Sequence, residues 1–398
     1  MFEPSDDVIE VRDWVHEFAE KEMRPHAEYY DEHEETPWPV IEKAAEVGIY
    51  GMDFWAQCFA EESGLQLPIV TEELWWGDGG LALSITGTLL GVTGILSNGT
   101  PEQIAEWVPK SFGTPDEVAM ACWAMTEPGA GSDVGSLRTR AERDGDEWIL
   151  NGTKVFITNG GIADVHVVVA TVDPELGHRG QATFIVPKGT PGLSQGKKEK
   201  KHGIRASHTA EVILDDVRVP MEFLLGGPDK LEDKLDKGRS GQSTGGSGGL
   251  TTLESARPVV AAQALGVARA AYEFARDYAM ERHQFGKPIF ENQAIAFKLA
   301  DMATEIDAAR LMVWRAAALA RSAKGFEMAE GSMSKLKASE VAVKVTEDAM
   351  QILGGYGYIR EFPVERYARD AKIMTVYEGT SEIQRLVISR AIKRSIQK

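Results

Sequence analysis

The chain has 398 residues, 43% hydrophobic and 26% charged, enough for two or three domains and an extensive core. A net charge of −18 argues against a nucleic-acid groove or a patch for anionic membranes. Cys58 and Cys122 lie far apart with no CxxC or Cys/His cluster, which excludes a disulfide framework and a thiolate metal site and fits a reducing compartment.

Met1 to Asp7 is acidic and lacks an apolar run, so neither a signal peptide nor an Arg-rich transit peptide is expected. No stretch approaches transmembrane length without charge or clustered glycine, and the expectation is a cytoplasmic protein with no membrane insertion. From Ser5 to about residue 115 the pattern is helical. Val8, Val11, Val15, Phe18 and Ala19 recur at helical spacing behind a Ser5 or Asp6 cap, and Pro25 should end or kink that run. Pro37-Trp38-Pro39 opens a second helix, and Thr100-Pro101-Glu102 another, with Gln103 behind it. Between them Leu81 to Leu96 is rich in small residues, open to two readings: tight helix packing or room for a ligand tail.

From about 120 the period changes to short β-branched and aromatic runs, punctuated by Gly, Asn, Asp and Pro. Asp144-Gly145-Asp146 and Asn151-Gly152 read as hairpin turns. Residues 226–250 look like a flexible Gly/Ser/Lys-rich loop. After Glu254 the chain is helical to its end. Stripes run through Val260 to Tyr278 and Ile295 to Ala320, and a third through Leu336, Val343, Met350 and Leu353.

Several stretches have the makings of a site. Thr126-Glu127-Pro128-Gly129-Ala130-Gly131-Ser132-Asp133 exposes backbone N–H groups and hydroxyls, yet is neither a Walker A nor a Rossmann fingerprint. Phe156-Ile157-Thr158-Asn159-Gly160-Gly161 pairs an aromatic with a hydroxyl, which suits a planar heterocycle as well as an ordinary strand end. Gly354, Gly355 and Gly357 exceed what a helix cap requires. Glu378 precedes Gly379 on a loop between helices, compatible with a general base or a plain surface carboxylate. None of the eight histidines pairs with Cys or Asp at ligand spacing, so no metal is expected.

In this order the pieces resemble the acyl-CoA dehydrogenase family of flavoenzymes over nearly the whole chain. The most specific parts are Ala124 to Asp133, Gln351 to Asp370 and Tyr377-Glu378-Gly379-Thr380. The resemblance implies an α+β protein: an all-α N-terminal domain (1–118), a middle antiparallel β-domain (119–225), the 226–250 loop, and a C-terminal four-helix bundle (251–398). It further implies a homotetramer, a dimer of dimers. FAD would meet Trp123, Met125, Thr126, Ser132, Phe156, Thr158, Thr380 and Glu382. Arg282, Phe285, Gln351, Gly354 and Gly355 would hold the adenosine and pyrophosphate end of a neighbour's FAD.

By the same resemblance Glu378 takes the pro-R α-proton of an acyl-CoA thioester while hydride leaves the β-carbon for flavin N5, giving the trans-2-enoyl-CoA. Electrons would pass to electron-transfer flavoprotein. Ser132, Arg257, Tyr377 and Gly379 would touch the thioester ligand. Some members carry the base immediately before the arginine matching Arg257; here that position is Ala256, and Glu254 is expected on another face. The small residues from Thr86 to Gly94 lie where relatives shape the acyl pocket. Two other functions fit the same fold: a flavin oxidase or monooxygenase, and a non-catalytic partner subunit.

Overall fold

The computed structural model describes residues 3–241, 248–322 and 325–397, without the side chains of 248–253 and 255. Its N-terminal block holds α1 (Asp6–Phe18), α2 (Arg24–His33), α3 (Trp38–Glu46), α4 (Met52–Ala60), α5 (Gln66–Gly77), α6 (Gly79–Thr86), α7 (Thr88–Asn98) and α8 (Pro101–Lys110). Ser5 caps α1, its Oγ accepting from Val8 N–H, and Thr100 with Gln103 forms a capping box on α8. Pro25 does not end the first run. A π turn over Ala19–Met23 joins α1 to α2, a wider turn that absorbs the donor and space a proline denies the turn before it. Gly79–Asn98 has the length and apolar character of a bilayer span, yet 78% of its most apolar 18-residue stretch is buried inside the protein.

The middle block starts with a small hairpin of β1 (Gly113–Thr114) and β2 (Glu117–Val118). A seven-stranded sheet follows, in the order β3 (Ala121–Ala124), β6 (Val165–Thr171), β4 (Arg140–Asp144), β5 (Glu147–Thr158), β9 (Thr209–Pro220), β8 (Leu193–Lys198). The seventh strand, β7 (Gln181–Pro187), pairs with β6. Most pairings are antiparallel as expected, but β3 runs parallel to β6, and β4 meets β6 parallel at Arg140 and Thr171. The Asp144–Asp146 turn forms. Asn151-Gly152 does not: it lies inside β5 at a register shift against β9. A Cβ at Gly152 would lie 2.4 Å from Thr139 Oγ1, so the glycine serves a bulge where another backbone passes closely.

The expected loop at 226–250 is corrected in part. Gly227–Arg239 is a helix, α9, with Leu231 buried and Lys234 Nζ donating to the Gln181 carbonyl. Leu231 and Leu235, four residues apart, give it an apolar stripe that the Lys/Asp alternation hides. Residues 242–247 lie outside the described residues, and 248–250 already belong to α10 (Gly248–Glu281).

After α10 come a hairpin of β10 (His283–Gln284) and β11 (Lys287–Pro288), then α11 (Gln293–Arg321), α12 (Glu330–Leu353), α13 (Val364–Ile373) and α14 (Ser381–Ile396). α10, α11, α12 and α14 make the bundle, and α5 crosses α10 where a Cβ at Gly266 would sit 2.4 Å from the Glu72 carbonyl. The α11 stripe is buried as its periodicity predicts, apart from half-buried Ile295 and exposed Ala320. The α12 stripe is displaced. Leu336, Val343 and Met350 are only half-buried, and the core face carries Lys335, Ala338, Ala342, Val345, Ala349 and Ile352. Small residues on this face let α10 and α12 pack closely.

Candidate active site

α13 ends at Ile373, and α14 starts behind Thr380, whose Oγ1 accepts from Ile383 N–H at 3.3 Å. The turn between them holds Glu378 at φ +53° and Gly379 at φ +92°. A left-handed glutamate costs about 1 kcal/mol or more, so the surroundings must hold it there. Two donors do so. Lys335 Nζ gives a hydrogen bond to the Gly379 carbonyl at 2.8 Å, and Gln384 Nε2 one at 2.9 Å. A Cβ at Gly379 would lie 2.6 Å from Gln384 Nε2, so only glycine fits beneath this clamp. The Glu378 N–H has no partner among the described residues and is free to donate outward.

Glu378 presents its side chain to solvent on one side. On the other, the surrounding protein strips water from the carboxylate and pushes its pKa up, while Lys335 and Arg257 pull it down without cancelling the rise. Tyr377 is tied back to α10 through a 2.5 Å bond from its hydroxyl to Gln263 Oε1. Glu382 is exposed in the first turn of α14, its pKa lowered by its own backbone N–H and by Thr380.

Glu254 is not on another face from Arg257. The two side chains pair directly, and Arg257 also donates to Ser332 Oγ at 2.5 Å. Glu254 in turn accepts from Ser332 N–H (2.8 Å) and Oγ (2.9 Å), which places its charge at the N-terminal turn of α12. The reason is the close crossing at Gly331, where a Cβ would meet the Glu254 carbonyl at 2.2 Å. With both oxygens occupied, Glu254 is structural.

The β-domain residues gather at the ends of β3 and β5. Trp123 is half-buried, Met125 and Thr126 follow it, and Val155 N–H donates to the Thr126 carbonyl at 2.9 Å. Beneath them Lys154 Nζ bonds the Met125 carbonyl (3.0 Å) and Glu127 Oε1 (2.7 Å); Glu127 also accepts from Arg138 and Thr139 N–H. Phe156 stands 65% exposed at φ +59°, a strained residue showing an aromatic face to solvent. Thr158 sits behind it, its methyl 2.9 Å from where a Cβ on Gly87 would be, and Ser132 is exposed beyond the loop.

The small residues before the sheet settle on packing. A Cβ on Gly94 would lie 2.4 Å from the Trp123 ring and one on Gly91 2.6 Å from Ala121. Thr86 and Thr88 spend their hydroxyls on the Ala82 and Ser111 carbonyls. This glycine face of α7 therefore seats the sheet and does not open into an acyl pocket.

The remaining predicted residues form a separate group. Arg282, Gly354 and Gly355 line a recess of about 400 Å³ together with Tyr278 and Tyr356. Arg282 lies 5.6 Å over the Tyr356 ring, Gln351 is exposed nearby in sequence, and Phe285 is 95% exposed next to the β10–β11 hairpin. Among the described residues, none of the Glu378 turn or the β-domain lines this recess.

Lys335, Gln384, Gln263 and Lys154 escaped the sequence reading, and Glu127 entered it only as one member of its loop, because long polar side chains are expected in water. One signal was present: Lys335 falls in phase with Gly331, Ala338, Ala342 and Ala349, the small-residue face of α12.

Comparison with known proteins agrees with this geometry. The chain matches the acyl-CoA dehydrogenase N-terminal domain over residues 5–113, the middle domain over 122–217 and the C-terminal domain over 247–393. It is 43% identical to the mitochondrial short-chain specific acyl-CoA dehydrogenase of Bos taurus, across 97% of this chain and 90% of that protein. The butyryl-CoA dehydrogenase structure of Megasphaera elsdenii superposes with a TM-score of 0.87 at 37% identity, covering 99% of this chain and 100% of the other. A structure described as the electron transferring flavoprotein of Acidaminococcus fermentans matches at 0.86 and 40%, with coverage of 99% and 100%. The chain belongs to the acyl-CoA dehydrogenase family, FAD-dependent oxidoreductases that act on CH–CH bonds.

Proposed function

We propose that the protein dehydrogenates a short acyl-CoA thioester to its trans-2-enoyl-CoA, with Glu378 as the base. The observation that carries this reading is the clamped, left-handed Glu378–Gly379 turn. It presents a carboxylate of raised pKa beside a backbone N–H that has no partner among the described residues. The short-chain preference is supported by the short-chain and butyryl-CoA dehydrogenases among its relatives.

The residues present fit FAD. Phe156 offers an exposed ring, no described atom lies within 4 Å of a Cβ built on Gly129, Gly131, Gly354 or Gly355, and the buried Ser381 Oγ has no partner among the described residues. Trp123, Met125, Thr126, Ser132, Phe156, Thr158, Thr380 and Glu382 would hold the isoalloxazine end. Arg282, Phe285, Gln351, Gly354 and Gly355 would hold the adenosine and pyrophosphate of a partner's FAD. When bound, the flavin supplies the acceptor for the hydride that leaves the β-carbon.

The protein's own task is the proton. The α-C–H is too weak an acid unless the developing enolate is stabilised, and the Glu378 N–H donates to the thioester carbonyl for that purpose. The Glu378 carboxylate then takes the proton, its elevated pKa bringing it nearer the working pH. Arg257, neutralised by Glu254, gives the CoA side of the site a rigid wall. Onward transfer to an electron-transferring flavoprotein is supported by the likeness to the Acidaminococcus structure, and assembly as a homotetramer by the exposed Phe285.

The test is Glu378→Gln, read by anaerobic bleaching of bound flavin with butyryl-CoA. The variant keeps its flavin absorbance and loses about 10³-fold in bleaching rate, within the range of general-base contributions. Wild-type bleaching would end the proposal.

A further inference from the structure

Lys335 has no exposed surface, and no carboxylate pairs with it among the described residues. A lysine buried so completely usually answers an acidic partner. This one spends its ammonium on a peptide carbonyl, that of Gly379, the residue after the base. Its charge is therefore not consumed by a salt bridge, and it acts on the nearest carboxylates, those of Glu378 and Glu382.

The other groups facing the Glu378 carboxylate are few. From α10 comes Arg257, already paired with Glu254. From the turn itself comes Tyr377, whose hydroxyl is held by Gln263. Glu382 on α14 is turned to solvent.

We propose that Lys335 is a positioning residue for the dehydrogenation: its hydrogen bond fixes the Glu378–Gly379 turn in its left-handed form, and its ammonium holds the base ionised. The first effect is mechanical. Without Nζ the Gly379 carbonyl keeps only Gln384, and the turn relaxes toward an unstrained conformation that moves both the carboxylate and the Glu378 N–H. The second is electrostatic. A cation near a carboxylate favours its charged form, the form a general base needs.

This inference rests on Glu378 being the base, so Glu378→Gln is assayed beside it. In Lys335→Met the flavin stays bound and kcat falls about a hundredfold, the scale of a small misplacement of reacting groups, while KM changes little. The acid limb of its kcat profile moves to higher pH, because a base without its neighbouring cation holds its proton longer. Amide exchange over residues 377–381, measured without any thioester, becomes faster. Lys335→Gln restores an amide donor but no charge; it slows that exchange relative to Lys335→Met yet leaves the acid limb displaced. It also carries the test if the methionine variant loses flavin.

A merely structural lysine would lower the melting temperature and leave the acid limb and kcat where they were; that result in either variant overturns the proposal. If Glu378→Gln is fully active the base assignment itself fails. If Glu378→Gln is inactive and Lys335→Met is normal, only the role of Lys335 fails.

Discussion

Two lysines with no exposed surface stand beneath the two halves of the site, and they are used differently. Lys154, under the β-domain loop, is matched at 2.7 Å by Glu127, which has further donors of its own. Lys335, under the bundle turn, bonds only a carbonyl. Burial pushes both ammonium pKa values down to about 8, against Glu127 in one case and Glu378 in the other. A paired charge stiffens a loop and is invisible beyond it. An unpaired one remains available to bias a neighbouring proton equilibrium. The sheet side therefore holds its loop by a closed ionic cluster, and the bundle side uses its support as part of the chemistry.

The sharpest way to break that contrast is Lys154→Met. It strands a buried Glu127 carboxylate and should cost about 3–5 kcal/mol, read by denaturant unfolding, with flavin lost in parallel. If it destabilises the protein no more than Lys335→Met does, the two supports are not different in kind. Gly94→Val tests the seat of the same loop. The added methyls meet the Trp123 ring, and overpacking of this sort costs roughly 1–3 kcal/mol, visible as a lowered melting temperature. An unchanged melting point would mean that α7 shifts away freely.

The smallest effect concerns α13, which leads into the bundle turn. Asp370 accepts from Ile204 N–H at 2.5 Å, and Arg366 reaches Asp78 at 3.0 Å. Desolvation raises both carboxyl pKa values, and the charge of Asp78 adds to the rise at Asp370. The native state therefore keeps protons that the unfolded chain releases above about pH 4, so this cluster favours folding less as pH rises from there. Asp370→Asn keeps the acceptor without the charge, so its melting temperature should decline less between pH 5 and pH 9 than that of the parent. Parallel declines would show that Asp370 does not titrate differently on folding.

Much of this is legible in the sequence. The Ser5 and Thr100 caps, the α11 stripe and the Glu378–Gly379 turn follow from local chemistry that a sequence displays directly. Other features depend on what a segment meets. Asn151-Gly152 has hairpin composition, and only the approach of Thr139 makes it a bulge. The α9 helix hides its two leucines among charges, and the bond from Ser332 to Glu254 exists only because Gly331 brings α12 against α10. Lys335 was hardest, because a helix's polar positions do not announce which one turns inward.

The glycine face of α7 has a practical consequence for anyone wishing to retune chain-length preference. Gly91 and Gly94, with Gly87 just ahead of the helix, face the sheet side, so enlarging them would loosen the floor under Trp123 and Thr158 before it altered the room for a longer tail. Redesign belongs on the opposite side of that helix, where Leu89 and Thr93 are half-buried and can change size without unseating the β-domain.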